Sequence, residues 1–317
     1  MTYLSLKWVL KAHLHQVLVQ ARSQALYDST CSIQAPQYRV ANSSNFCFVC
    51  ASNDIQNIPV SKTKKTIQVI YQSPIGLKLK NTYHQPIQTI NQNLAGWLLV
   101  NQSAPSGSPI FQYAPGAGIN AIWSHVKIRT TTEGWLRFYF TAQSIALWCN
   151  HFWDKSSRNE SLQQGIQNST AHSLKYFPRI DASQLTPEAC FELQYNYARC
   201  CLLVKRVQQT HSGCLRAAKT SIGQIEPLQL TEYEQNLLHA LVEATDSCFS
   251  VSLQQPARHC LTHIMALSRH TEQFCRQYSC VQGEVQRLTY LRLLLSVRAV
   301  LKHCLVALLG LEAPTGL

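Results

Sequence analysis

Through most of the last 130 or so positions, apolar residues recur at three- and four-residue spacing, the period of a helix with one buried face. Thr186-Pro187-Glu188 is a helix start: Thr caps the free amides, Pro suits the first helical position, and Glu meets the positive end of the dipole. The helix it opens carries Leu193, Tyr197, Cys200 or Cys201, Val204 and Val207 on one side and ends before Gly213. Thr231-Glu232-Tyr233-Glu234 has the form of a capping box ahead of Leu237, Leu238, Leu241 and Val242. A third helix is predicted from after Pro256 to about Tyr278, with Leu261, Ile264, Leu267 and Phe274 facing inward. A fourth runs from near Gly283 through Leu288, Leu291, Leu295, Leu301, Leu305 and Leu308 to Gly310, a natural C-cap. Together they predict an all-α antiparallel helical bundle over 186–317, with one long connection at about 211–230.

Residues 1–152 read as a separate α+β domain. A helix is predicted over 4–26, with Leu4, Trp8, Leu14, Val17, Leu18, Ala21 and Ala25 on one face. Tyr71 to Lys80 and Pro86 to Val100 predict two further helices, and Ile119 to Ile128 and Gly134 to Phe140 two strands. Between the two domains, 153–185 is rich in Ser, Gln and Asn and reads as a polar linker with at most a short helix.

Charge sharpens this division. The net charge of +12 is concentrated early: residues 1–175 hold 15 Lys and Arg against 5 Asp and Glu, and residues 176–317 hold 13 against 11. Such a surface favours phosphate backbones or other anionic partners. The 13 cysteines, scattered without regular spacing, predict reduced and mostly buried thiols in place of a secreted disulfide framework. Arg292, Arg298, Lys302 and His303 interrupt the longest apolar tract, which argues against a membrane span. The first residues lack an uninterrupted apolar stretch and a cleavage site, so no signal peptide is expected and a cytoplasmic location is.

Several segments resemble arginyl-tRNA synthetase. FELQYNYARCCLLVKR, Phe191 to Arg206, is similar to the signature helix of that family's DALR-type anticodon-binding domain, which has an LQY-x-H-x-R core. LTEYEQNLLHAL, Leu230 to Leu241, resembles its second helix. LRLLLSVRAVLKHCLVALLGLEAP, Leu291 to Pro314, resembles its terminal helix and LLGIEAP ending. Tyr71 to Leu98 and Ile119 to Phe140 show a weaker resemblance to the family's N-terminal additional domain. What is implied is a class I synthetase anticodon-binding helical fold and a partner that is a tRNA, tRNA-Arg among the options, or another structured RNA. The family's catalytic domain, with HIGH- and KMSKS-type loops, has no counterpart between these regions, and no His-x-Gly-His occurs in the chain. Ser61-Lys62-Thr63-Lys64-Lys65 has no partner loop and is read as a solvated basic turn.

On that resemblance Gln194, Tyr195, Tyr197 and Arg199 are candidates for RNA contact, since aromatic faces stack on bases, amides read base edges and Arg pairs with acceptors. Their spacing does not let all four point one way, so some pack internally. Tyr197 stands where the family has His, which puts the original anticodon specificity in question. Lys205 and Arg206, followed by Arg216 and Lys219, are candidate phosphate contacts or a solvated helix end favoured by the dipole, and Arg292 and Arg298 pose the same choice. Leu317 is a candidate because the family's C-terminus approaches the anticodon loop. Lys78 and Lys80, near Lys62, Lys64 and Lys65, are candidates for nonspecific phosphate contact or a plain basic face.

Cys47-Phe48-Val49-Cys50 is a lone CxxC without a second pair at finger spacing, so no metal is expected. No Ser-His-Asp or Cys-His set is assignable, and no catalytic residue or cofactor is expected. The leading reading is therefore a non-catalytic tRNA- or RNA-binding protein. A protein-interaction adaptor is the second, and an arginine–tRNA ligase, disfavoured by the missing catalytic domain, is the third.

Overall fold

The computed structural model describes residues 5–31, 58–63, 68–83, 86–103, 121–162, 180–210, 230–249, 257–277 and 284–316. The chain is mostly helical with a small antiparallel sheet, and it divides into two compact units: residues 7–141, and residues 142–317 together with 1–6.

The first unit is built on α1 (Leu6–Cys31), whose Val9, Leu10, Leu14, Val17 and Leu18 are buried. Its sheet has the order β1-β2-β4-β3, all neighbours antiparallel, from β1 (Ser61–Lys62), β2 (Ile70–Ser73), β3 (Val126–Thr130) and β4 (Leu136–Phe140). Alternation along β4 sends Leu136, Phe138 and Phe140 into the core beside Tyr71 and Trp123. The ring of His13 lies flat on Trp123, centroids 4.3 Å apart at 12°. Two helices follow β2, α2 (Ile75–Tyr83) and α3 (Ile87–Ser103), and pack on each other, with α3 also against β3. Gln102 at the end of α3 donates to the carbonyls of Trp123 (3.0 Å) and Val126 (2.8 Å), which fixes where β3 begins. The β3–β4 turn needs Gly134, whose φ is +85° and whose absent Cβ would lie 2.3 Å from Ile87.

Three expectations change here. Residues 70–73 form a strand, and the helix expected from Tyr71 starts only at Ile75, because Pro74 biases the residue before it to extended backbone. The strand expected from Ile119 starts at Val126, after a short helical turn at 121–123. Ser61 and Lys62 are an edge strand rather than a solvated turn, and the amide of Thr63 continues the pairing by donating to the Ile70 carbonyl at 2.8 Å.

The second unit contains α4 (Ala142–Leu162), α5 (Pro187–Thr210), α6 (Glu232–Phe249), α7 (Ala257–Arg276) and α8 (Glu284–His303), the last followed by a π-helical turn at Cys304–Leu308. The Leu-rich α8 packs against α4, α5 and α6; α7 packs against α5 and α6. Thr186 Oγ1 accepts from the Ala189 amide at 3.3 Å at the start of α5. At α6 the capping box closes both ways: the Thr231 amide donates to Glu234 Oε2 (2.7 Å) and the Glu234 amide to Thr231 Oγ1 (3.4 Å). Gly310, at φ +66°, turns the chain after the last helix.

The expected boundary at 152 lies inside α4. Ile145, Trp148, Cys149 and Phe152 of that helix are buried, and the Ser296 hydroxyl of α8 donates to the Cys149 carbonyl at 3.2 Å, so α4 belongs with the helices. The helix also continues to Leu162, through residues read as linker. The connection at 211–229 lies outside the described residues.

Candidate nucleic-acid interface

Helix α5 has two different long faces. Leu193, Tyr197, Ala198, Cys200, Val204 and Val207 are buried against α7 and α8. Asn196, 1 % exposed, donates through Nδ2 to the Ser268 carbonyl (3.2 Å) and hydroxyl (2.8 Å) of α7, which fixes the rotation of α5 about its axis. That rotation sets exposed Glu188, Phe191, Leu202 and Arg206 and half-buried Tyr195 and Arg199 along one stripe, spanning an arc of about 80° at 100° per residue. Phe191 is 66 % and Leu202 42 % exposed, so the stripe carries apolar surface as well as charge. Phe191 and Tyr195 stack, with ring centroids 6.0 Å apart at 30°. Lys205, exposed, flanks the stripe beside Arg206.

The candidate residues thus separate. Tyr195, Arg199, Lys205 and Arg206 lie on or beside the outer stripe. Gln194 is half-buried, and its Nε2 donates to the backbone carbonyl of Glu312 at 3.0 Å, tying the C-terminal segment to α5. Tyr197, 3 % exposed, packs in the interior and offers no face to a ligand. Arg298, half-buried on α8, lies near enough to Cys200 for its charge to act on that thiol. Arg292 is 7 % exposed and belongs to the α4–α8 packing, with burial lowering its pKa. Lys78 and Lys80 are exposed on α2, in the other unit. Leu317, Arg216, Lys219 and the Cys47–Cys50 pair lie outside the described residues. Phe191 went unrecognised as a contact residue, although its position, out of phase with Leu193, Tyr197, Cys200 and Val204, carried the signal.

Behind the stripe, Cys200 on α5 and Cys275 on α7 share a hydrogen bond. That bond and burial push the Cys200 thiol up, while the same bond, and then the nearby Arg199 charge, hold Cys275 below its usual value. Arg199 therefore sits where the outer stripe meets α7. All eight cysteines whose side chains are described are free thiols. Among the described residues no group of three or more His, Cys, Asp and Glu side chains is placed to hold a metal ion, and no helix is long and apolar enough to cross a membrane.

A stacked aromatic pair followed by Arg and Lys on one exposed helix face is the equipment of an RNA-contacting surface, with rings for bases and cations for phosphates. The helical unit is independently similar to a known module of that class: residues 193–317 match the family model of the DALR anticodon binding domain. That similarity suggests a tRNA-binding role. No curated protein and no solved structure matches the chain.

Proposed function

We propose that the protein binds tRNA through the outer face of α5, as an anticodon-binding helical bundle of the class I synthetase type, and does not aminoacylate it. The observation that carries this reading is the stack of exposed Phe191 on half-buried Tyr195, followed on the same face by Arg199 and Arg206, at the start of a segment similar to the DALR anticodon binding domain. In this role Phe191 and Tyr195 stack on unpaired loop bases, Arg199 pairs with a base edge or a phosphate, and Lys205 and Arg206 follow the backbone. Gln194 acts by holding the C-terminal segment beside the contact face. The non-catalytic part of the proposal is supported by the sequence, in which no His-x-Gly-His occurs, and by Ser61 and Lys62 of the nearest Lys-Ser-type segment lying in an edge strand.

Electrophoretic mobility shift with total tRNA between 50 and 300 mM salt tests it. Binding that weakens linearly on a log–log salt plot is expected. Absence of a complex even at the lowest salt would sink the proposal, and arginine-dependent ATP–pyrophosphate exchange above background would overturn its non-catalytic part. The exposed Leu202 beside Phe191 also favours a protein-adaptor reading. A stoichiometric protein partner that survives nuclease treatment would replace the RNA reading with that one.

A further inference from the structure

Behind the outer stripe of α5 lies a pair of thiols that the RNA reading does not use. Cys200 on α5 is fully buried, and Cys275, in the last turn of α7, is 4 % exposed. Two ties join these helices. Asn196 donates to Ser268, and one turn further along α5 and two along α7 the Cys200 and Cys275 thiols share a hydrogen bond. Both steps advance in the same direction, so the helices run the same way here and the two ties belong to one seam.

The surroundings favour a thiolate at one of these two sulfurs. The bond from Cys200 holds Cys275 below its ordinary value; the Arg199 charge and the nearby Tyr290 hydroxyl add to that, while burial and Glu272 oppose it. The same bond and burial push Cys200 up, with the Arg298 charge opposing. Cys275 is therefore the nucleophile, and Cys200 the proton-bearing partner already in contact with it. A second thiol pair in the same unit gives the contrast. Cys260, half-buried, donates through Sγ to the Ser247 carbonyl at 3.1 Å, and its bond to Cys248, together with burial, pushes its thiol up. Its basic neighbour is His263, a weaker and pH-dependent source of positive charge than Arg199.

We propose that Cys200 and Cys275 form a reversible dithiol–disulfide site that takes a hydroperoxide as oxidant and ties α5 covalently to α7. The Cys275 thiolate attacks one oxygen of hydrogen peroxide; an S–O bond forms, the O–O bond breaks, and the departing oxygen takes a proton and leaves as water. Cys200 then gives up its proton and attacks the sulfenic sulfur. The S–S bond forms, the S–O bond breaks, and the hydroxide released takes that proton as a second water. Two thiols and one peroxide thus give one disulfide and two waters, the sulfurs losing the two electrons that the peroxide gains. A dithiol reductant reverses the step by thiol–disulfide exchange. The sulfurs need only close from hydrogen-bond contact to about 2.05 Å. So closed a site suits an oxidant near the size of water, and a partner thiol in contact with the sulfenic acid intercepts it before further oxidation. The proposal rests on the α5–α7 seam and not on the RNA reading.

The test is peptide mapping of the full chain carrying Cys201→Ser, which removes the adjacent thiol from the tryptic peptide that holds Cys200. Reduced protein is treated with hydrogen peroxide, blocked with N-ethylmaleimide and digested without reduction. The expected product is residues 200–205 joined to residues 270–276, lighter by two hydrogens than the free peptides together and separated again by dithiothreitol. Oxidation should raise the melting temperature by about 5–15 °C, as for a bridge that closes a long loop without distorting its ends, and reduction should restore it. In Cys200→Ser, peroxide should leave a sulfenic acid at Cys275 that dimedone captures once the oxidant is removed and the chain unfolded; in Cys275→Ser, Cys200 should stay unlabelled. The peptide link is read without either of these two variants, so it stands whether or not they fold. Absence of the link overturns the proposal, as do closure of Cys248 with Cys260 ahead of it, dimedone on Cys200, or a melting temperature lowered by oxidation. A link that forms equally well in denaturant also overturns it, because the folded seam would then not be what pairs the sulfurs. No readout involves tRNA, so failure here and failure of the α5 reading are separate results.

Discussion

Phe191→Ala separates binding from folding more sharply than any other change in the helical unit. About two-thirds of the residue is already in water, and its ring stacks on Tyr195 at 6.0 Å. Full burial of a Phe side chain stabilises by about 1.5–3 kcal/mol, so the third that is covered contributes about 0.5–1 kcal/mol. In a unit of this size that is a melting shift of about 1–4 °C. Stacking one base on an aromatic ring is worth about 1–3 kcal/mol by alanine substitution, or a loss of about 5- to 150-fold in tRNA affinity. The assay is a pair of measurements on one preparation: anisotropy with labelled tRNA at fixed low salt, and thermal unfolding by circular dichroism. Tyr197→Ala is the contrasting control. That ring is 3 % exposed six residues along the same helix, and its removal should cost about 3–5 kcal/mol of stability. Wild-type tRNA affinity in Phe191→Ala would refute the stacking argument. A melting loss as large as that of Tyr197→Ala would refute the assignment of Phe191 to the outer face.

Other expectations concern the scaffold. Gly76→Ala places a Cβ 1.9 Å from Oδ1 of Asn91, whose side chain is fully buried, so a loss of about 1–3 kcal/mol is expected, read as a lower denaturation midpoint. Glu234→Ala removes the acceptor of the Thr231 amide and should cost about 1 kcal/mol in urea unfolding, with RNA affinity unchanged. His13 is held neutral by burial, with its pKa lowered to about 4 against an ordinary value near 6.5. The unfolded chain therefore binds more protons between those values. The stability His13 contributes is whole above about pH 6.5 and is lost as pH falls toward 4, by about 3 kcal/mol in total. His13→Phe, which keeps a ring against Trp123, should flatten that part of the pH–stability curve, while the same dependence at His303, also lowered to about 4 by burial, remains.

The helical unit was legible because its signals are local and mutually consistent. Thr186-Pro187 and the Thr231–Glu234 box mark helix starts through their own hydrogen bonds, and Leu261, Ile264, Leu267 and Phe274 mark a buried face by spacing alone. Where the decisive interaction is distant, the sequence is silent. Ser61 and Lys62 belong to a strand only because β2 lies beside them. The later turns of α4 carry DKSSRNES, with no apolar period, yet they extend a helix already nucleated by Trp148 and Phe152. On α5, Tyr195 and Arg199 were singled out by the matched segment, and both lie half-buried along the outer stripe. Phe191 was not, because periodicity assigns aromatic residues to the core by default.

Tyr197 shows how far a matched motif carries and where physics takes over. Its position corresponds to a His in the resembling family, which by itself would suggest an altered reading of the anticodon. Yet the ring is 3 % exposed, between Asn196, hydrogen-bonded to Ser268, and the buried Ala198. A side chain sealed in that way acts on RNA only through the geometry of the helix that carries it. The exchange of imidazole for phenol at this point therefore bears on how α5 seats against α7, and leaves the chemistry offered to a ligand to the stripe on the other side of the helix. In the proposed reading, discrimination between one loop and another falls to Phe191, Tyr195 and Arg199, which combine a stacking platform with a donor that pairs with base acceptors or phosphate. In the same reading, cations such as Lys205 strengthen binding without telling one sequence from another.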